Sequence, residues 1–316
     1  MRQRPARRSL AASAAGGAPP RLGAPPPPRA DLPRRLALLA SLLAPATGAR
    51  MTNSSSPGPT TPVYKGPPDF TYADTGDWPS TFPACGASGV STPFPLTGPF
   101  TPAPARRLAP AYRPAAFVCV NERTTAHFVA PAAGGGDPND GAAGGIVAVD
   151  ANGVETRLRL VQFHFHVPGE EAFSGAAPPS TACVHLVHVA DDDPDAPPRT
   201  LVVAAQLAEV AGAGAHAGVA AALAALGPGG RPPPGGGRTP PIDARALLPA
   251  SLTAGRAFWF RGGFSSPPCS AGVDWCVLEA PSPIAPGQMD ALRYPPNARP
   301  LQARGGRRVE VSGGGL

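Results

Sequence analysis

The chain of 316 residues is long enough for one large domain or two small ones, and its 42% hydrophobic content can fill a sizeable core. Its formal charge of +6 is concentrated in residues 1–50, which hold nine Arg and one acid, Asp31. The other 266 residues carry 18 basic and 20 acidic side chains, a net of −2, so the body has no electrostatic footprint for a phosphate backbone and no nucleic-acid partner is expected.

Residues 1–50 are rich in Arg, Ala, Ser and Pro, as organellar transit peptides are. Within them a twin arginine, Arg34-Arg35, precedes a short apolar core from Leu36 to Ala44, and Thr47-Gly48-Ala49 offers small residues for cleavage. That core is too short to cross a bilayer as a helix, and no transmembrane segment is expected. Transit peptide followed by export signal is the address of a chloroplast protein bound for the thylakoid lumen. A secretory signal with a long basic start, leading to a secreted or periplasmic protein, reads equally well. The sequon Asn53-Ser54-Ser55 matters only on that second route.

Residues 51–67, rich in Ser, Thr, Pro and Gly, are expected to be a linker, residues 68–312 one domain and 313–316 a tail. Along the domain, short β-type runs alternate with Gly/Pro breaks. They fall at Ala116–Asn121, His127–Ala130, Gly145–Asp150, Thr156–Val167, Ala182–Ala190, Leu201–Val210, Ala257–Arg261 and Val273–Leu278. This rhythm predicts a β-rich single domain. One helix is predicted, over the Ala-rich stretch from Ala215 to Leu226 that Gly227 ends. Residues 132–143 and 227–241 lack periodicity and read as surface loops. The five cysteines include no CxxC pair. Cys119, Cys183 and Cys276 sit in apolar runs and are expected to be buried and inert.

Four of the six histidines occupy two of these runs, Gln162-Phe163-His164-Phe165-His166 and Ala182-Cys183-Val184-His185-Leu186-Val187-His188. Residues i and i+2 of a strand share a face, so His164 and His166 stand side by side. The second run can pair antiparallel with the first and add one more imidazole, either His185 or His188, since these lie on opposite faces. Three neutral nitrogens with an open fourth position suit a catalytic zinc.

QFHFH at 162–166, ACVHLVHV at 182–189, Phe264-Ser265-Ser266-Pro267-Pro268-Cys269, Val273-Asp274-Trp275 and Asn297-Ala298-Arg299-Pro300-Leu301-Gln302 together resemble the α-class carbonic anhydrases, in the bacterial and algal branch. Ile242-Asp243 and Leu247-Leu248-Pro249 extend the likeness, which covers about residues 70–310. It implies a single-domain roll around a large, mostly antiparallel twisted sheet with a few short helices. It also implies zinc-dependent, reversible hydration of CO2 to bicarbonate and a proton, with hydroxide on the metal as nucleophile. By the same resemblance His185 is the third ligand beside His164 and His166, and His188 is a core histidine. Cys85 and Cys269 match a disulfide pair. Ser265 matches a hydroxyl gatekeeper, Glu170 the carboxylate that orients it, and His127 lies near the proton-shuttle position. Gln162 and Asn297 match partners that orient His164 and His166. Val187, Val203, Phe264, Ser266 and Trp275 match the substrate pocket, with Phe264 in place of a smaller leucine.

Two further positions depart from the family. Glu171 stands where histidine is usual and is expected to be a partly exposed acid. Cys183 stands where a glutamate normally supports the third ligand, and a thiol is a weak acceptor, so zinc binding is expected to be about 10- to 100-fold weaker. A weak or inactive carbonic-anhydrase-like binding protein is the alternative. A cupin-type metalloenzyme, suggested by His164-x-His166-x3-Glu170, lacks the later Pro-x-Gly-x2-His element.

Overall fold

A computed structural model describes residues 70–121, 124–131, 141–173, 181–190, 199–227, 230–233, 236–252, 255–293 and 296–313. The leader, its sequon, the linker, residues 68–69, most of the 132–143 loop, parts of the 227–241 loop and the last three residues lie outside that set. No helix among the described residues is long and apolar enough to cross a membrane.

Twelve strands form one mixed sheet: β1 (Thr101–Pro102), β2 (Arg107–Tyr112), β3 (Val118–Asn121), β4 (Ala126–Val129), β5 (Gly144–Val149), β6 (Glu155–His166), β7 (Ala182–Ala190), β8 (Arg199–Glu209), β9 (Gly237–Arg238), β10 (Arg256–Gly263), β11 (Ala271–Ile284) and β12 (Glu310–Gly313). Their order is β1-β12-β10-β11-β8-β7-β6-β4-β3-β9, with β5 on β6 and β2 on β5. Among the described residues only β1/β12 and β8/β11 are parallel. The mostly antiparallel expectation holds.

All eight expected strands form. Missed were the two-residue strands β1 and β9, the Gly-flanked β12, and β2, whose Pro110 argues against a strand in sequence. Because β2 pairs only with β5, it is an edge strand, and an edge tolerates a residue without an N–H. The predicted helix is shorter than expected: α1 (Ala217–Leu223), capped where His216 Nδ1 accepts from the Val219 N–H at 3.3 Å. A second helix of the same length, α2 (Pro286–Leu292), was not anticipated, nor was the single helical turn Trp78–Thr81; the α2 proline sits at the helix start, where the missing N–H costs nothing.

Every residue of β7 is buried, which explains its nearly unbroken apolar run. One face, with Val184, Leu186 and Val203, packs with Phe128, Phe163 and the helices into the larger core. The other face, with Val187, Val189 and Val202, meets Phe94, Phe258 and Trp275 in a smaller one. His188 lies on the helix-side face, where its Nε2 accepts from the Tyr112 hydroxyl at 2.8 Å and its Nδ1–H donates to the Leu201 carbonyl at 3.3 Å. It thus ties β2 to β7 as a core histidine.

Burial lowers the His188 pKa from 6.5 to about 4. The ring is neutral in the fold and gains a proton on unfolding below its ordinary pKa. Stability tied to it is therefore complete above about pH 6.5 and lost as pH falls toward 4, on the order of 3 kcal/mol. Urea titrations of the metal-free protein at neutral and acid pH should show a shallower pH dependence for His188→Phe than for the wild type; an unchanged dependence contradicts this role.

Candidate metal centre

The antiparallel register of β6 and β7 places His164 opposite His185 and His166 opposite Cys183. With the period-2 alternation of each strand, this puts His164, His166 and His185 on one face. Their ligand nitrogens all lie within 4.8 Å of one another. The ring centroids are 4.6–5.3 Å apart. His166 and His185 are buried and His164 is half-buried.

In each ring one nitrogen is already engaged. His164 Nδ1–H donates to Gln162 Oε1 at 2.9 Å. His166 Nδ1–H donates to the main-chain oxygen of Asn297 at 2.6 Å. The Asn297 side chain clamps that carbonyl in place, accepting from the Val167 N–H at 2.8 Å and donating to the Phe165 oxygen at 2.8 Å and Thr125 Oγ1 at 3.1 Å. His185 Nε2–H donates to Glu171 Oε1 at 2.9 Å, with Cys183 Sγ also within 3.5 Å of that nitrogen. What remains is His164 Nε2, His166 Nε2 and His185 Nδ1. His166 Nε2 is buried with no hydrogen-bond partner, a costly arrangement that a metal ion relieves.

Two expectations are corrected here. Glu171 is not a partly exposed acid but is buried, and it supplies the third histidine with the carboxylate that position 183 lacks. The reason given for a weak site, an unsupported third ligand, is therefore absent. No sequence signal pointed from 171 to 185, because the contact depends on how the turn after β6 folds back over β7.

Burial holds His164 well below its ordinary pKa, reinforced by His127, His166 and His185, and burial also lowers His166. Both are thus neutral, the form a metal requires. For His185, burial pulls the pKa down, but the charge and hydrogen bond of Glu171, with the charge of Glu170, together leave it raised; for Glu171, burial pushes up, but the charge and hydrogen bond of His185 and the weaker influence of its other neighbours together leave it lowered. Glu171, Cys183 and His185 form a second possible ligand group. It needs a thiolate, and burial together with the charges of Glu171 and Glu170 pushes the Cys183 thiol well up. The three-histidine group is the better metal site.

A cavity opens over the histidines, lined by His127, Gln162, Val187, Val202, Trp275 and the Phe264–Pro268 loop. Val187 and Val202 are ladder partners and share this face, whereas the expected wall residue Val203 pairs with Leu186 and packs in the helix-side core. A slip of one residue along a strand exchanges faces. Phe264, Ser265, Ser266 and Trp275 all line the cavity. His127 lies opposite His164 in the ladder, stacked on it at 4.7 Å, and burial lowers its pKa from 6.5 to about 4 with a smaller push from His166.

The expected Ser265–Glu170 pair is not joined by a hydrogen bond among the described residues. Glu170 Oε1 accepts from the Arg299 N–H at 2.9 Å, and Oε2 is buried without a partner. Ser265 sits on a turn held by several bonds. The Cys269 N–H donates to the Ser266 carbonyl at 2.9 Å, the Phe264 N–H to Ser270 at 3.1 Å, and Trp275 Nε1–H to Gly263 at 3.1 Å. A Cβ on Gly263 would stand 2.7 Å from the Cys269 oxygen, so only glycine lets the turn close. Cys269 is in the left-handed region, φ 57°, and is bonded to Cys85 as expected. Cys119, Cys183 and Cys276 are free and buried, also as expected.

No protein-family model matches the chain. Its sequence is 40% identical over 70 residues to a carbonic anhydrase of Nostoc sp., covering 22% of this chain and 25% of that protein. It is 33% identical over 151 residues to a carbonic anhydrase of Pectobacterium atrosepticum, covering 47% of this chain and 56% of that one. The chain thus spans a quarter to about half the length of these curated relatives. Among solved structures, carbonic anhydrase Cah3 from Chlamydomonas reinhardtii, in complex with acetazolamide, superposes with a TM-score of 0.57 at 24% identity, over 83% of this chain and 99% of that one. The chain has the α-carbonic anhydrase fold. A cupin would fold as a double-sheet jelly roll, so the α-carbonic anhydrase fold sets that alternative aside.

The Cys85–Cys269 bond spans 184 residues and ties the Ser265 turn to the segment around Trp78 and Phe82. Loop-closure entropy for that span is worth about 5 kcal/mol. Thermal unfolding with and without reductant should show a melting temperature lower by on the order of 10 °C once reduced. An unchanged melting temperature contradicts a stabilising bond.

Proposed function

We propose that this chain catalyses the reversible hydration of CO2 to bicarbonate and a proton, with Zn2+ held by His164 Nε2, His166 Nε2 and His185 Nδ1. The observation that carries this reading is the set of three converging imidazoles, each with its other nitrogen engaged, around a buried His166 Nε2 that has no partner. Three neutral nitrogens and an open position are the donor set of a catalytic zinc. Zinc in such a site supplies the Lewis acidity that makes water a nucleophile at neutral pH, carbonic anhydrase being the type case of that effect.

The chain's own residues supply aim, exclusion and proton transfer. Ser265, buried at the cavity wall, is the hydroxyl proposed to accept from the attacking water and to donate in turn to the free Oε2 of Glu170. As a carboxylate Glu170 only accepts, and with Oε1 taken by the Arg299 N–H the remaining acceptor is Oε2, which gives the chain of donors its direction. Val187, Val202, Trp275 and Phe264 give the uncharged substrate an apolar wall. His127, beside His164 on the same wall, is the proposed relay for the departing proton; with its pKa held at about 4 it passes the proton on and does not store it at neutral pH. The basic leader supports delivery to a thylakoid lumen or, by the secretory reading, to a secreted or periplasmic space. An inactive binding protein of the same fold is the competing reading.

Mass-spectrometric zinc counting with stopped-flow CO2 hydration tests the proposal. One zinc per chain and hydration inhibited by acetazolamide are expected, with both lost in His164→Ala; zinc without hydration favours the binding protein. Phe264 crowds the cavity, so Phe264→Leu should hydrate CO2 faster, and an unchanged rate contradicts the crowding.

A further inference from the structure

Resting on the zinc reading of the site, the geometry points to Glu171 as the residue that positions the third ligand, a role moved there from position 183. In this role Glu171 accepts the Nε2 proton of His185, and the neutral Cys183 thiol stands beside that bond. Two observations on different side chains support it. Glu171 Oε1 is 2.9 Å from His185 Nε2, and both groups are buried. Cys183, opposite His166 in the ladder and two residues before His185, also lies on that face, with Sγ 3.5 Å from Nε2.

The chemistry of the three groups allows one arrangement. A carboxylate accepts only, a neutral thiol is a weak donor, and an imidazole has one N–H to give. Glu171 is therefore the acceptor for the His185 N–H, with the Cys183 thiol as its neutral neighbour. With the Nε2–H bound to Glu171, the lone pair of His185 is on Nδ1, which is the nitrogen left for the metal. A carboxylate on a ligand histidine fixes its tautomer and ring orientation and raises its basicity. Position 183 is then not a defect. A glutamate placed there would set a second buried carboxylate against Glu171, with one imidazole proton between them.

This reverses what the sequence suggests about Cys183→Glu. Zinc competition titrations of the apoprotein should show weaker binding for Glu171→Gln, by about 10- to 100-fold. Cys183→Ala should cost much less. Cys183→Glu and Glu171→His should each weaken binding when alone, and the double variant, which restores one carboxylate and one neutral partner, should recover most of the loss. That recovery distinguishes positioning from a merely structural role and remains informative where Glu171→Gln folds poorly. Wild-type affinity in Glu171→Gln, or tighter binding in Cys183→Glu, overturns the inference.

A wild-type protein that holds no zinc would defeat the reading of the site instead. In that event the Nε2 proton resonance of His185 in the metal-free protein still decides the role of Glu171. A resonance that moves on Glu171→Gln supports it, and one indifferent to that substitution overturns it.

Discussion

The structure depends on one pairing, the antiparallel register that sets His164 opposite His185. A slip of one residue between β6 and β7 would turn the third imidazole into the helix-side core and bring Leu186 to the cavity. Burial on both faces guards against that slip. Phe163 and Phe165 on β6 oppose Leu186 and Val184 on β7, and all four pack in the larger core, so a slip would also unseat the aromatic side chains. The hydrophobic pattern of the far face therefore holds the ligands on the near face in place.

The histidines are held from behind by three chemically different acceptors: a side-chain amide at Gln162, a main-chain carbonyl at Asn297 and a carboxylate at Glu171. They come from β6 itself, from the segment after α2 and from the turn after β6. Arg299, two residues beyond Asn297, donates its N–H to Glu170 and its guanidinium to the carbonyls of Thr92 and Cys85. One short stretch, residues 297–299, thus orients a ligand, engages the proposed gatekeeper's carboxylate and anchors the N-terminal cluster to which the disulfide belongs. This connectivity links the stability of the outer shell to the precision of the centre.

Much of this was legible in sequence because strands write their faces in period two. His164, His166 and the opposite facing of His185 and His188 follow from alternation alone, and the eight longer strands from apolar runs between Gly and Pro. The choice of His185 over His188 needed the family resemblance, since alternation treats both runs of the strand alike. What stayed hidden depends on three-dimensional approach. The swap of Val203 for Val202 is a matter of register between β7 and β8, which no single strand encodes. Glu171 was read by its neighbours in sequence, where it sits among turn residues, and not by His185, fourteen positions away, which it meets only after the turn folds back. Edge strand β2, with its internal proline, reads as a loop until its single pairing partner is known.

The account turns on which atoms hold the metal, and zinc K-edge X-ray absorption on the zinc-loaded wild type measures this directly. Three histidine nitrogens and one oxygen at about 2.0–2.1 Å, with no sulfur, are predicted. A sulfur scatterer near 2.3 Å, placing Cys183 on the zinc, would contradict the three-histidine centre and the role of Glu171 together.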